Sequence, residues 1–333
     1  MNRILVYHVG GIGDTLVALP AFRMLKANFP DAEFDLLNLA AVNSRTHAQI
    51  YGNTDLFARK TFLMPASRPV LYLQFARAFF SRRYDAFYSF SFSDAPPVSL
   101  AAMCRVRGCK VFHCAPHRDF PELTIAEGYL RMLEKTGLKH PGDITFELPL
   151  TEQEIQLAVS VRKQLPDAPP IAFGTGGNQS ACVWPVERYA EVISWLKKRH
   201  DFTPVFIGGE SDRTAAETLI AQHGGIFLAD TACRGVRETV AFLRLCRGYA
   251  GNDTGSIHLA AAAGIPCLGI YSAHNLPAAR WLPNCPDRLV LRHDPECAGC
   301  ERHDCPKGTP PPCLLNITAD EILDAAERLL FAK

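Results

Sequence analysis

The sequence predicts an α/β protein of two doubly wound domains, each a mostly parallel sheet covered by helices. Three observations carry that expectation. Short apolar runs alternate with stretches of helical spacing, the alternation restarts past the middle of the chain, and 333 residues are long for one domain. "RILVYHV" (3–9) is the first strand candidate, and apolar residues then recur at Leu16, Leu19, Phe22, Leu25 and Phe29, a helical spacing. "EFDLLNL" (33–39) and "DAFYSFSF" (85–92) read as further strands, with the helix-like "VLYLQFARAFFSRR" (70–83) before the latter. The rhythm restarts after "ELPLTEQEIQ". "PPIAFGTGG" (169–177), "TPVFIGG" (203–209), "RGYAGND" (247–253) and "IPCLGIY" (265–271) are strand candidates, separated by helical stretches at 186–199, 211–222, 236–246 and 255–263. The last stretch, "TADEILDAAERLL" (318–330), opens with Thr318 followed three residues on by Glu321, a capping-box pattern. Domains are therefore expected at 1–157 and 158–316, with a terminal helix in 317–333.

Composition narrows the function classes. Apolar residues make up 48% and charged residues 21%, a soluble globular balance. A net charge of +1 supplies no general field for nucleic acid or an anionic membrane, so no nucleic-acid partner and at most peripheral membrane contact are expected. No apolar run has membrane-spanning length, and "MNRILVYHVGGIGD" reads as a first strand, not a signal peptide. Eight of the 12 cysteines are scattered singly, which suits reduced thiols in a cytosol.

Ligands in doubly wound sheets bind outside the C-terminal ends of the strands. The strongest signal at such an end is "GNDTGSIHLAAAAGIP" (251–266). Gly251 lets the chain turn, Asp253 or Thr254 can cap the next helix, and Gly255 leaves backbone amides uncovered at its first turn. That is an anion site suited to a diphosphate, or an ordinary strand-to-helix turn. Asp253 would repel a bare phosphate and fits better against ribose hydroxyls or a phosphate-bound cation. His258 lies in the first turn, where the helix dipole favours its neutral form, or is a satisfied structural histidine. "FGTGGNQSACVWP" (173–185) is a second glycine-rich exit, in which Gly174, Thr175, Gly176 and Gly177 can bring amides to a ligand. "GGESDR" (208–213) is a third. There Glu210 can accept from ribose, or Ser211 or Asp212 simply caps a helix. The dinucleotide fingerprint fails at Leu16, and no Gly-Lys-Ser or Gly-Lys-Thr P-loop occurs.

"GGIGDTLVALPAFRMLKANFP", "GNDTGSIHLAAAAGIPCLGIY" and the C-terminal "CAGCERHDCPKGTPPPCLLNITADEIL" resemble glycosyltransferase family 9, the ADP-heptose:lipopolysaccharide heptosyltransferases and relatives. The resemblance spans nearly the whole chain. It implies a GT-B fold, two Rossmann-like domains facing across a cleft, with the acceptor on the first and the nucleotide-sugar on the second. It also implies that the terminal helix crosses back onto the first domain. Family members carry a Gly-Asp after the first strand whose Asp is regarded as the base for the acceptor hydroxyl, and Asp14 matches it. Inverting transfer needs a base opposite the leaving diphosphate. Gly10, Gly11 and Gly13 would clear space for a sugar beside the carboxylate. Pro20, unfavourable by ~3 kcal/mol inside a helix, suggests that Asp14–Leu19 is a turn distinct from the regular helix.

The chain departs from the family where many members carry Lys or Arg just before Trp-Pro, facing the donor phosphates. Here Cys182 and Val183 precede Trp184. The charge would be met by amides, by Arg188 or by a metal ion. "CRVRGCKVFHCAPHRDF" (104–120) is locally basic and could dock an anionic acceptor, or is a solvated face.

Four cysteines, Cys297, Cys300, Cys305 and Cys313, are spaced C-x2-C-x4-C-x7-C and could wrap a structural zinc or iron, with His293 and His303 as substitutes. No cofactor is required for the chemistry. The reading is a cytoplasmic inverting glycosyltransferase, peripheral at the inner membrane if membrane-bound at all. It moves a sugar, heptose from ADP-heptose being favoured, onto a lipopolysaccharide-core or related glycan or glycolipid acceptor. Asp14 is the base, with Gly10, Gly11 and Gly13 on the acceptor side. Gly174, Thr175, Gly176, Trp184, Glu210, Asn252, Asp253, Thr254, Gly255 and His258 line the donor side. The rivals are a sugar-nucleotide epimerase of the same architecture and a degenerate, non-catalytic nucleotide-sugar-binding module.

Overall fold

The computed structural model describes residues 1–332 except 41–43, 53, 64–67, 92–96 and 143. The chain divides into two compact units, Met1–Thr145 and Phe146–Lys333.

In the first unit the elements are β1 (Arg3–Gly10), α1 (Ile12–Asn28), β2 (Glu33–Ala40), α2 (Ser44–Gly52), β3 (Arg59–Leu63), α3 (Arg68–Phe80), β4 (Ala86–Phe90), α4 (Val98–Val106), β5 (Lys110–Cys114), α5 (Pro116–Asp119) and α6 (Ile125–Lys135). The strands form one parallel sheet in the order β3-β2-β1-β4-β5. The chain winds from β1 to one edge, then returns to fill the other, so the winding reverses between β1 and β4. Phe75, Ala78 and Phe79 of α3 and Leu100 and Cys104 of α4 pack on Leu5, Tyr7 and Phe87 of the sheet. The extended strand β2 pairs with β1 from Arg3↔Glu33 to Gly10↔Ala40, so both strands end together.

The second unit contains α7 (Glu152–Arg162), β6 (Pro170–Gly174), α8 (Val186–Arg199), β7 (Thr203–Phe206), α9 (Arg213–His223), β8 (Ile226–Phe227), α10 (Val236–Leu243), β9 (Gly248–Asn252), α11 (Gly255–Ala262), β10 (Cys267–Tyr271), β11 (Arg288–Arg292), α12 (Pro312–Leu315) and α13 (Ala319–Ala326). Its parallel sheet runs β11-β10-β9-β6-β7-β8, and its winding reverses between β6 and β9. The central strands are buried along their whole length, which is why they read as continuous apolar or small-residue runs.

Two boundaries differ from expectation. The units divide at Thr145/Phe146, not at 157/158. The segment after 145 belongs to the second unit because α7 packs on α10 through a buried pair. Arg237 donates from Nε to Glu154 Oε1 at 2.6 Å and from Nη2 to Oε2 at 2.9 Å, and Leu148 N–H bonds to the Ala262 carbonyl at 2.9 Å. The terminal helix also lies in the second unit. Thr318 and Glu321 close the capping box, with Glu321 N–H donating to Thr318 Oγ1 at 3.3 Å and Thr318 N–H to Glu321 Oε2 at 2.8 Å. Ile322, Leu323, Ala325 and Ala326 are then buried in the core with Val192, Leu196 and Phe202. The helix expected in 317–333 is thereby seated in the core of the second unit.

Candidate functional site

The first candidate centre forms where β1 ends. Gly11 is the N-cap residue of α1, which places Asp14 at the third helical position and not at the cap itself. The Gly11 N–H donates to Asp14 Oδ2, and Thr15 Oγ1 donates to the Gly11 carbonyl at 2.8 Å. Asp14 is partly exposed, in a first turn whose dipole favours a negative charge. Gly10 sits at φ +149°, and a Cβ there would approach Asp14 Cβ to 2.2 Å. Gly10 is thus required by the aspartate itself. The expected irregular turn at Asp14–Leu19 is corrected: α1 is continuous through Pro20. Buried Tyr51 lies nearby. Burial pushes its phenol up, a Thr15 hydrogen bond pulls it down, and the Asp14 charge pushes it up again.

The second centre forms where β6 and β9 end, at the winding reversal of the second sheet. Asn252 is fully buried and committed. Its Oδ1 accepts from Trp184 N–H at 3.1 Å and from the Tyr189 hydroxyl at 2.9 Å, while Nδ2 donates to the Gly176 carbonyl at 3.1 Å. This side chain therefore positions the glycine-rich exit, using Oδ1 twice and one of its two Nδ2 hydrogens. Trp184 is likewise buried, its Nε1–H donating to the Ile317 carbonyl at 3.1 Å. Gly174 and Gly176 are small because Tyr249 and Asp212 pack against them. An added Cβ would meet the Tyr249 hydroxyl at 2.1 Å and Asp212 Oδ1 at 1.9 Å. Thr175 between them is buried. Thr254 caps α11, accepting from Ser256 N–H at 3.4 Å, and Gly255 opens the helix as the sequence predicts.

Asp253 keeps some accessible surface yet is densely surrounded. Burial raises its carboxyl to about 7, against the pull of Arg292 and an Asn275 hydrogen bond. His258 is buried, with Nδ1 lacking a protein partner, and burial lowers it to about 4, so it is neutral. Its ring meets Trp281 edge-on at 6.0 Å. Glu210 is exposed, and Arg213 donates to both its oxygens, at 2.7 and 3.0 Å.

The missing cation before Trp184 is not replaced by Arg188, whose Nη1 donates to the carbonyls of Leu315, at 2.7 Å, and Ile317, at 2.5 Å. Cys182 is buried 3.7 Å from the His274 ring, and Ser272 Oγ lies 2.6 Å from His274 Nδ1. Burial pushes the Cys182 thiol up to about 12, and His274 down to about 4, so these two side chains are neutral. The cation beside Asp253 is Arg292, which the sequence reading missed along with β11. Its side chain is buried, paired with Asp294 at 2.5 Å, and its Nη2 has no protein partner. An arginine ending an apolar run, "RLVLRHD", was the available signal.

The cysteine-rich segment is tied to this corner through its backbone. Gly299 N–H bonds to the Ala273 carbonyl at 2.7 Å, Glu301 N–H to His274 at 2.8 Å, and Ala181 N–H to His303 at 3.1 Å. Cys297 and Cys300 are exposed, Cys305 and Cys313 partly so, and all four are free thiols. His293 pairs with Glu321 at 2.9 Å. Among the described residues no three His, Cys, Asp or Glu side chains stand together as a metal site, so this arrangement does not fit the zinc or iron expected from the spacing. A polar concavity lined by Lys26, Asp31, Glu33, Asp55 and Lys60 opens at the other ends of the first sheet's strands and includes none of the candidate residues.

The sequence matches the family description "Glycosyltransferase family 9 (heptosyltransferase)" over residues 100–309. No curated protein matches the chain in sequence. Among solved structures, a family 9 glycosyltransferase from Veillonella parvula superposes with a TM-score of 0.79 at 18% identity, covering 99% of this chain and 97% of that one. ADP-heptose LPS heptosyltransferase II from E. coli gives 0.72 at 18%, covering 99% and 98%. E. coli heptosyltransferase WaaC with ADP-2-deoxy-2-fluoro heptose gives 0.65 at 17%, covering 98% and 99%. These likenesses establish the GT-B fold of two Rossmann-like units. With the sequence match covering more than half of its length, the chain belongs to glycosyltransferase family 9, the heptosyltransferase family.

Proposed function

We propose that this chain is an inverting glycosyltransferase that moves heptose from ADP-heptose onto a hydroxyl of a lipopolysaccharide-core or related surface glycan, in the cytoplasm where nucleotide-sugars are available. The observation that carries the reading is the placement of the two centres. Asp14 follows β1 and Asp253 follows β9, each beside the winding reversal of its own parallel sheet, where doubly wound folds bind ligands. Relatives of the same fold whose names include ADP-heptose support the donor.

The roles follow from the chemistry. The acceptor hydroxyl attacks the anomeric carbon from the face opposite the diphosphate. Its proton passes to the Asp14 carboxylate, and the bond from the anomeric carbon to the diphosphate oxygen breaks with its electron pair, releasing ADP. Backbone amides at the start of α11 stabilise the charge on that leaving group, with Arg292 as the nearby cation. Asp253 and neutral His258 hold ligand hydroxyls. Asn252 and Trp184 hold the loops in place.

Single-turnover incubation with ADP-heptose and a deacylated core acceptor tests the proposal. Transfer with inversion is expected, and donor alone should give no epimer. Epimerisation of the donor without acceptor would replace this reading with the epimerase. Stabilisation by UDP-sugars and not by ADP-heptose in a thermal-shift series would overturn the donor assignment.

A further inference from the structure

We propose that the outer face of α3 and α4 in the first unit is a docking surface for an anionic phospholipid leaflet. Among the described residues, exposed large apolar side chains concentrate there: Val70, Tyr72, Leu73 and Phe80 on α3, Val98 and Val106 on α4. Leu73 is 69% exposed, Val98 79% and Val106 89%. One such residue would be ordinary, but six on two adjoining helices form a patch. Helix α3 is apolar on two sides. Phe75, Ala78 and Phe79 face the core, while Val70, Leu73, Arg77 and Phe80 follow a second line at helical spacing, left to solvent. On α4, Leu100 and Cys104 are buried, while Val98, Arg105 and Val106 point out.

The two helices present one surface. Arg107, just after α4, lays its guanidinium over the Phe80 ring at 5.2 Å and the Phe79 ring at 5.7 Å, and donates to the Arg82 carbonyl at 3.3 Å. The charge there is one-sided. Residues 56–118 contain ten Lys and Arg against two Asp and no Glu, in a chain whose net charge is +1. Arg77, Arg83, Arg105 and Lys110 are exposed around the patch.

Aliphatic and aromatic side chains interleaved with arginines suit a headgroup–acyl boundary, where the apolar groups enter and the cations meet lipid phosphates. Nucleic acid would use the charge but gain little from Leu73, Val98 and Val106. A second copy meeting this face symmetrically would bring like charges together. No described helix is long and apolar enough to cross a membrane, so the contact is peripheral.

Co-sedimentation of the full chain tests this, with vesicles of phosphatidylcholine alone and of phosphatidylcholine mixed equally with phosphatidylglycerol. Binding to the mixed vesicles, weakened by salt and absent from the neutral ones, is expected. Arg77→Gln with Arg105→Gln should reduce partitioning about fivefold for each charge removed. Leu73→Ser with Val106→Ser should reduce it at least about tenfold with an unchanged melting temperature, since neither side chain is in the core. Failure to bind the mixed vesicles, equal binding to both kinds, or unaltered partitioning of both variants overturns the proposal. So does a wild-type dimer that Leu73→Ser with Val106→Ser converts to monomer, which would make the face a self-interface.

Discussion

The Tyr189 hydroxyl donates to Asn252 Oδ1 at 2.9 Å, and the same oxygen takes the Trp184 N–H at 3.1 Å. One buried amide thus joins the end of β9 to the start of α8 and, through Nδ2, to the glycine-rich exit of β6. Removing it strands the buried Trp184 N–H and leaves the Tyr189 hydroxyl only the Gly174 carbonyl, at 3.4 Å. Asn252→Ala is expected to cost about 3 kcal/mol of stability in denaturant unfolding. A loss below about 1 kcal/mol would mean that these groups find other partners.

Asp14→Asn is expected to lower single-turnover transfer by ~10²–10⁴-fold with little change in melting temperature or donor affinity. The amide oxygen can still accept the Gly11 N–H, so the turn survives, but an amide cannot take the acceptor proton. Retention of more than about a third of the rate would reduce Asp14 to a helix-start residue.

Asp253 gives stability a definite pH slope. Its folded carboxyl titrates at about 7, raised by burial, whereas an unfolded aspartate titrates near 3.9. Between those values the folded state holds a proton that the unfolded chain has released. This contribution is therefore full below about 4 and is lost as pH rises through about 7. His258 and His274, lowered by burial to about 4, act in the opposite sense, losing stability as pH falls from about 6.5. Comparison with Asp253→Asn isolates the aspartate: the wild type should lose more melting temperature than the variant between pH 5 and pH 8, values chosen about that window. Parallel curves would place the Asp253 carboxyl in the ordinary range.

The cysteine-rich segment is checked by elemental analysis of protein purified without added metal. As placed, the four thiols are expected to titrate freely, Cys297 and Cys300 fastest, with less than about a tenth of a metal ion per chain. Near one zinc or iron per chain would show that metal draws Cys297, Cys300, Cys305 and Cys313 into a site.

Sequence alone determined what depends on neighbours a few residues apart. Thr318 and Glu321 announce a helix start because both capping hydrogen bonds close within three residues. The buried strands β1, β6, β9 and β10 announce themselves because a central parallel strand is apolar or small throughout. Gly255 after Thr254 announces the open first turn of α11, and Gly-Asp at 13–14 the candidate base. Edge strands such as β3, β5 and β11 were not legible, since partly exposed faces interrupt their apolar runs. Tertiary structure decided how each side chain is used. Asn252 and Trp184 are 68 residues apart, and nothing in either segment shows that the Asn252 Oδ1 takes the Trp184 N–H. Arg188 looked available to a phosphate until the carbonyls of 315 and 317 came to meet it, and Arg292 became the cation beside Asp253 only when β11 joined β10. Burial sets which groups are charged and which partners they have, and burial is a property of the folded chain as a whole.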